Sequence, residues 1–248
     1  MLLRRMISHV KAQNWLAVFL DFFIVVVGVL IAFQITEWSE QREAAKRREA
    51  ALVRLHDESE LAVGYFREIV GMYDDRSVHR SEAIRRMIDN DWEGVDLDAM
   101  TTGITSVGIL PSASPPRSVY DEVISTGQFS ELGDPALRTS ISDYYGRLSF
   151  LQGQILYTRS INAYFPDWQH PGIILTFEPG TARERDYEID FDLVSNDPDF
   201  IEGMIAGNNS MRAVAGWWRA VLEGAEQMCK ELARATGQPC EPVEESIG

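Results

Sequence analysis

The chain has 248 residues, of which 45% are hydrophobic, 25% charged and 10% aromatic. This ordinary globular composition excludes collagen-like, low-complexity and wholly disordered proteins. The net charge of −15 excludes a general nucleic-acid binder, because such proteins need a basic surface to release phosphate counterions. Two cysteines are too few for a disulfide framework or a four-cysteine zinc site.

Residues 15–36 form an apolar run whose only charged residue is Asp21. A helix of this length spans about 33 Å, enough to cross a hydrocarbon core of about 30 Å. The run lacks the small residues that end a cleaved signal peptide, which is the alternative interpretation. We therefore interpret residues 15–36 as an uncleaved transmembrane anchor that follows a short basic leader, residues 1–14.

Basic residues stand on both sides of the anchor, so counting Lys and Arg does not decide its orientation. A leader of 14 residues is easily retained inside, whereas a long domain crosses a membrane largely regardless of its charge. We predict a single-pass protein with the leader in the cytoplasm and the remainder outside.

One face of the anchor carries Asp21, Val25, Gly28 and Ala32, which we call the contact face. Gly28 and Ala32 are four residues apart, the small-residue spacing that permits close approach of another membrane helix. A carboxylate inside an apolar run is costly unless it is hydrated, protonated or paired. The contact face therefore predicts docking of a second helix through a polar contact, and the alternative is that Asp21 simply reaches water.

Helical patterns continue beyond the anchor. Residues 37–50 are polar on every side and predict a solvated stalk. The helix is expected to continue to Ile88, and Gly71 permits a kink or break within it. Apolar residues spaced alternately by three and four predict a surface that faces other helices. This first seam comprises Leu52, Leu55, Ser59, Ala62, Phe66, Ile69 and Tyr73.

Three later helices are predicted to start at Ser114-Pro115-Pro116, Asp134-Pro135 and Asp197-Pro198, because Ser or Asp caps free amides and Pro suits the first turn. The last two are long and carry seams of the same rhythm, so three seams together predict an antiparallel bundle. The second seam comprises Leu137, Ile141, Tyr144, Leu148, Leu151 and Ile155, and the third Met211, Ala215, Trp218, Leu222, Ala225, Cys229 and Leu232.

The remaining segments are not helical in pattern. Residues 91–114 are rich in Ser, Thr, Gly and Pro and are not expected to form one regular element. Residues 172–194 predict a small β-hairpin with a turn at Gly180-Thr181. The predicted fold class is mainly α: a transmembrane helix that runs into a stalk helix and an antiparallel bundle. The predicted segments are a leader (1–14), a transmembrane helix (15–36), a stalk (37–50), an extracytoplasmic helical body (51–240) and a tail (241–248).

Two groups of side chains in the body suggest a disulfide bond and a ligand pocket. A turn at Gly237 can bring Cys229 and Cys240 together as a disulfide, which requires an oxidising compartment, and the alternative is two unrelated thiols. Four residues on the two long helices suggest a ligand pocket. The alternative is that the aromatic rings belong to the core and the arginine stems cover apolar surface. The pocket residues are Tyr144, Arg147, Trp218 and Arg219.

The sequence contains no dinucleotide-binding, phosphate-loop, zinc-protease or nucleophile-elbow motif. We accordingly predict no catalytic, cofactor-binding or metal-ligating residue. The triplet His56-Asp57-Glu58 contains ligand types, but successive helical residues point in different directions.

An acidic residue opens a G-V-x-x-A-x-Q-x-x-x-W run, made by Gly28, Val29, Ala32, Gln34 and Trp38. This run, with the charged stalk and LVRLHDE after it, resembles the start of a family of uncharacterised bacterial single-pass membrane proteins, known as a domain of unknown function. The stretch from Tyr120 to Tyr145 is also similar to a later segment of that family. The resemblance implies a bacterial inner-membrane anchor with a helical domain, here in the periplasm, and supplies no catalytic residue.

These observations predict a non-enzymatic interaction protein, an accessory or assembly subunit of a larger membrane complex. Its expected partners are the lipid bilayer and a protein in the membrane or periplasm, or a second copy of the chain. The alternative is a periplasmic ligand-binding sensory module that acts through a partner membrane protein, since a short leader has no room for an output domain. An enzyme is the third hypothesis.

Overall fold

The computed structural model describes residues 15–161, 168–176 and 186–243. The predicted leader, the turn at Gly180-Thr181 and the end of the predicted tail lie outside the described residues. The chain divides into two compact units, Met1–Ala50 and Ala51–Gly248.

Helix α1 covers Trp15–Asp89, so the predicted anchor, stalk and first bundle helix belong to one continuous helix. The break permitted near Gly71 does not occur. A single glycine inside a helix costs only about 1 kcal/mol, and the seam residues Ile69 and Tyr73 on either side of it are buried. Packing of this seam holds the backbone helical through the glycine.

In the first unit, α1 is exposed on every side. The large apolar side chains between Val18 and Ile35 are 37–66% exposed, apart from that of Val27, which is partly buried. An 18-residue window near the N-terminus has a mean hydropathy of 2.7, and none of its residues is buried. By length and composition this part of α1 is a candidate membrane span, whereas the core helix of a soluble protein would be mostly buried.

The second unit confirms a mainly α fold with a small antiparallel sheet. The two strands pair with Ile173 opposite Ile189 and Thr176 opposite Asp186. Besides the end of α1, its elements are α2 (Leu97–Thr105), α3 (Ser118–Ser125), a 3₁₀ turn (Gln128–Glu131), α4 (Pro135–Ile161), β1 (Ile173–Thr176), β2 (Asp186–Ile189), α5 (Phe191–Ser195) and α6 (Pro198–Thr236).

Helices α1, α4 and α6 form the bundle around the main core. Helix α6 runs antiparallel to α1, because Arg67 pairs with Glu226 whereas Arg80, further along α1, pairs with Asn208. Apart from Leu52 and Leu222, which are partly buried, every residue of the three predicted seams is buried. The apolar rhythm of the sequence therefore identifies the faces that meet in the core.

A second, smaller core lies where the end of α1, α2, the sheet and the start of α6 meet. Its helices approach closely at Gly103 of α2, where a Cβ atom would lie 2.5 Å from the backbone oxygen of His79. Glycine is therefore required at this contact. The buried members are Ala83, Ile84, Met87, Met100, Ile104, Val107, Ile173, Ile189, Val194, Phe200 and Met204.

Two of the three predicted helix starts are confirmed by their caps. The Asp134 carboxylate accepts a hydrogen bond from the backbone N–H of Leu137 at 2.8 Å, at the start of α4. The Asp197 carboxylate accepts from the N–H groups of Asp199 and Phe200, at the start of α6. Both satisfy amides that a helix leaves without partners.

The third helix also lies where it was predicted, since α3 covers Ser118–Ser125 just after Ser114-Pro115-Pro116, but its predicted cap is wrong because Ser114 does not cap it. The capping group comes instead from α1. The carboxylate of Glu58 accepts from the N–H groups of Val119 at 2.7 Å and Tyr120 at 3.2 Å. A distant side chain supplies the cap, so the residues before the helix reveal its position but not its capping group.

The Ser/Thr/Gly-rich stretch does not form one regular element, as predicted, although it contains the short helix α2, whose first amides are capped by Asp96. One shorter segment differs from its prediction. The second predicted strand ends at Ile189, because Asp190 caps the following residues as the short helix α5. In both places an aspartate with a free side-chain oxygen starts a helix where composition suggested a loop or a strand.

Candidate functional site

The contact face lies on α1 within the first unit. Asp21, Val25, Gly28 and Ala32 are all exposed, and a Cβ atom at Gly28 would meet nothing within 4 Å in the described chain. The backbone at Gly28 is therefore accessible to an approaching helix. A small residue with open space above it is the geometry that close helix packing in membranes uses.

Cys229 and Cys240 are joined by a disulfide, with their Cα atoms 5.8 Å apart. Helix α6 ends at Gly237, whose φ of 74° is a left-handed conformation that glycine adopts without strain. The chain then turns back, and the N–H of Glu241 donates to the Glu60 carboxylate on α1 at 2.6 Å. The C-terminal segment is thus fastened to two helices of the bundle.

The four residues of the predicted ligand pocket do not line one pocket. Tyr144 and Trp218 are 0% exposed and pack against Phe66, with ring centroids 6.3 and 5.7 Å from it. Burial raises the pKa of Tyr144. The two arginines line separate clefts: Arg147 one of about 360 Å³ and Arg219 one of about 540 Å³. The aromatic rings are core residues because their helical spacing places them on the seams.

Glu58 is a buried carboxylate that the sequence singled out only as a member of the triplet His56-Asp57-Glu58, not as a helix cap. Besides capping α3, it accepts a hydrogen bond from the Tyr145 hydroxyl at 2.9 Å. Burial, together with the negative charge of Glu58, raises the pKa of Tyr145. Every contact of this carboxylate joins α1 to α3 or α4, so its role is to hold helices together.

The arginine cleft lies between α1 and α6 and has a volume of about 540 Å³. Three guanidinium groups and two neutral polar side chains line it, and its described lining contains no carboxylate. The lining residues are Ser77, Arg80, Asn209, Arg212, Ala213, Ala215 and Arg219.

Arg80 is the innermost of these arginines and is 1% exposed. Its Nε donates to the side-chain oxygen of Asn208 and its Nη1 to the hydroxyl of Ser106, both at 3.3 Å. Its Nη2 has no hydrogen-bond partner among the described residues. Burial lowers the pKa of Arg80, and Arg76 nearby lowers it further, yet arginine stays charged in proteins. The group is therefore a buried cation held only by neutral acceptors.

A second polar cluster lies beside the disulfide. Ligand atoms of His56, Glu60 and Cys229 lie within 4.8 Å of one another, and neither ring nitrogen of buried His56 has a hydrogen-bond partner among the described residues. Metals bind the thiolate form of cysteine, which Cys229 does not have while it is in the disulfide. In this state the cluster offers a metal two ligands. Asp57 is exposed and Glu58 faces α3, so the triplet His56-Asp57-Glu58 does not converge.

Sequence reasoning missed Arg80, although a signal was present. Arg80 follows the seam residue Tyr73 by exactly one heptad, and Met87 follows Arg80 by another. All three side chains are buried. A charged residue at a position where the seam expects an apolar one is predicted to be buried. Burying a charge costs free energy, so such a residue is expected to have a partner or a function.

The fold and these sites define a mainly α protein with a candidate membrane span and a helical bundle that carries an arginine-lined cleft. No family model, curated protein or solved structure matches the chain. Its function is therefore argued from its own residues.

Proposed function

We propose that the protein is a non-enzymatic, membrane-anchored interaction protein, an accessory or assembly subunit of a larger bacterial membrane complex. One observation carries the proposal. All the large apolar side chains of residues 18–35 except Val27 are exposed, whereas nearly all residues of the seams in the second unit are buried in a core. An exposed apolar helix of this length needs lipid, a partner helix or both.

The contact face supports a partner helix in addition to lipid. Gly28 and Ala32 present a small surface, and Asp21 presents a polar group on the same side. Lipid chains gain nothing from such a stripe, whereas a second helix gains close backbone packing and a polar contact. The partner is a membrane helix of another subunit or of a second copy.

The disulfide supports a location of the body in the periplasm, because disulfides persist in oxidising compartments. External protease added to spheroplasts tests this orientation. We expect it to digest the body while the leader stays protected. A body that resists protease until the membrane is lysed would contradict the orientation.

Cross-linking and co-purification of the full chain in mild detergent test the contact face. Gly28→Leu keeps the helix apolar and long enough to insert, so anchoring should persist while recovery of the partner falls. Val27→Leu, on another side of the helix, is the matched control and should recover the partner as the wild type does. Asp21→Asn should reduce recovery when the carboxylate pairs with a partner cation. Equal recovery from all the variants would contradict the contact face.

The second candidate is a periplasmic ligand-binding sensory module that acts through a partner membrane protein. The arginine cleft is the observation that favours it, since a concave polar site of about 540 Å³ accommodates a small molecule. Mass spectrometry of the purified protein separates the two functions. A stoichiometric protein partner supports the accessory role, and a small molecule that is lost when the cleft is altered supports the sensory role.

A further inference from the structure

The guanidinium of Arg80 is held in one orientation by its neighbours on α2 and α6. Asn208 accepts from Nε and Ser106 accepts from Nη1. Ser106 directly follows α2, which meets α1 in backbone contact at Gly103. This close approach brings the serine hydroxyl within reach of the arginine and leaves Nη2 as the unpaired donor.

Among the described residues, no carboxylate forms a hydrogen bond or ion pair with Arg80. Its hydrogen-bond acceptors are neutral, and the like charge of Arg76 lowers its pKa further. A buried cation in this situation is unfavourable unless an anion accompanies it. The folded protein thus keeps an arginine where a leucine or methionine would pack without this cost.

The rest of the cleft adds positive charge. Arg212 is exposed and makes no ion pair among the described residues, and Arg219 pairs with Asp74. Ser77 and Asn209 add neutral polar groups to the wall. The net charge of the chain is −15, so a cleft with three arginines and no carboxylate in its described lining opposes the general charge of the molecule.

We propose that the arginine cleft binds a small phosphate-bearing anion, with Arg80 as the buried anchor and Arg212 and Arg219 closing over it from α6. Planar guanidinium groups match the oxygens of phosphate in bidentate pairs, and several of them together favour a multiply charged group over a single carboxylate. The volume of about 540 Å³ lies in the range of small-molecule sites, about 300–1,000 Å³. The inference goes beyond the accessory role and does not depend on it.

Calorimetric titration of the full chain in detergent tests the proposal, with inorganic phosphate as the probe and acetate as a single-carboxylate comparison at equal ionic strength. We expect phosphate to bind at one site per chain, to bind more tightly than acetate and to raise the thermal unfolding midpoint. Arg212→Gln should weaken phosphate binding at least tenfold, a loss of about 1.4 kcal/mol. Arg212 is exposed, so this variant is expected to fold.

Arg234→Gln is the matched control, because Arg234 lies on the same helix with a side chain that is 73% exposed and should leave binding unchanged. Arg80→Met should abolish binding and, in phosphate-free buffer, should not lower the unfolding midpoint. No binding of phosphate to the wild type, or equal affinities of Arg212→Gln and Arg234→Gln, would overturn the site. Tighter binding of acetate than of phosphate would overturn the assignment of the ligand class. The assay needs no protein partner, so its failure is distinguishable from a failure of the accessory role.

Discussion

Helix α1 contains two apolar regions that differ in what surrounds them. Between residues 18 and 35 apolar side chains occupy every side of the helix and, apart from Val27, are exposed. Between residues 51 and 73 they occupy one seam and are buried against other helices of the second unit. The two regions show that the angular spread of apolar residues, more than their number, separates a helix suited to lipid from one suited to a protein core.

The largest effect is expected from a charge in the buried seam. Leu148 on α4 is 1% exposed, so Leu148→Asp buries an unpaired carboxylate and should destabilise the protein by about 4 kcal/mol or more. Leu156 lies on the same helix and is 66% exposed, so Leu156→Asp should cost less than about 0.5 kcal/mol. Urea unfolding measures both. Similar midpoints for the two variants would contradict the assignment of the seam.

A charge in the exposed apolar region should act on membrane insertion instead. Leu30→Asp places a carboxylate in the candidate span, where insertion costs about 3 kcal/mol more, while the unfolding of the body should not change. Membrane retention after alkaline extraction and a thermal melt measure the two effects separately. Glu43→Ala in the polar stalk is the control and should alter neither. If Leu30→Asp lowers the thermal unfolding midpoint as far as Leu148→Asp does, both regions belong to a protein core.

Reduction of the disulfide should have a smaller effect within the second unit. The bond closes a loop over a separation of 11 residues, for which the loss of chain entropy predicts a stabilisation of about 2–3 kcal/mol. Dithiothreitol should lower the free energy of unfolding of the wild type, measured in urea, by this amount and shift its urea midpoint down accordingly. Cys240→Ser should start at the lower midpoint and show no response to dithiothreitol. A wild type that is indifferent to reductant, or that labels freely with thiol reagents before reduction, would refute the prediction.

The smallest effect concerns the cap of α6 and its dependence on pH. The N–H of Phe200, with a smaller contribution from Asp199 and His170, lowers the pKa of Asp197. A carboxyl whose folded pKa is lowered stabilises the protein above its unfolded pKa, about 3.9, and loses this contribution as the pH falls through the folded value. The stability gap between the wild type and Asp197→Ala should therefore be constant near pH 6 and shrink below about pH 4.

Asp197→Asn is the comparison for this measurement, because asparagine keeps a capping oxygen but does not titrate. The difference in free energy of unfolding between Asp197→Asn and the wild type should therefore reflect mainly the charge of Asp197, which depends on pH, and little of the loss of the capping hydrogen bonds. Urea unfolding between pH 6 and pH 3 measures all three proteins. If the difference in stability between the wild type and Asp197→Ala increases as the pH falls, the pKa of Asp197 is not lowered in the folded protein.

The features that were predictable from sequence are those set by neighbours along the chain. The seam from Leu137 to Ile155 follows from helical spacing, and the starts of α4 and α6 follow from an aspartate directly before a proline. Features set by distant residues were not predictable. Glu58 caps a helix that lies 60 residues further on, and the neighbours of Arg80 come from α2 and α6, so neither arrangement leaves a local pattern.

The antiparallel contact of α1 with α6 also sets the order in which the second unit can form. Arg67 and Glu226 meet across a sequence separation of 159 residues. At a synthesis rate of about 5–20 residues per second, roughly 8–30 s pass between the appearance of the two residues. During that interval the first seam lacks one of the two long helices that cover it, and a chain that stops before α6 leaves this side of the seam exposed. Truncated chains are therefore expected to be substrates for proteolysis.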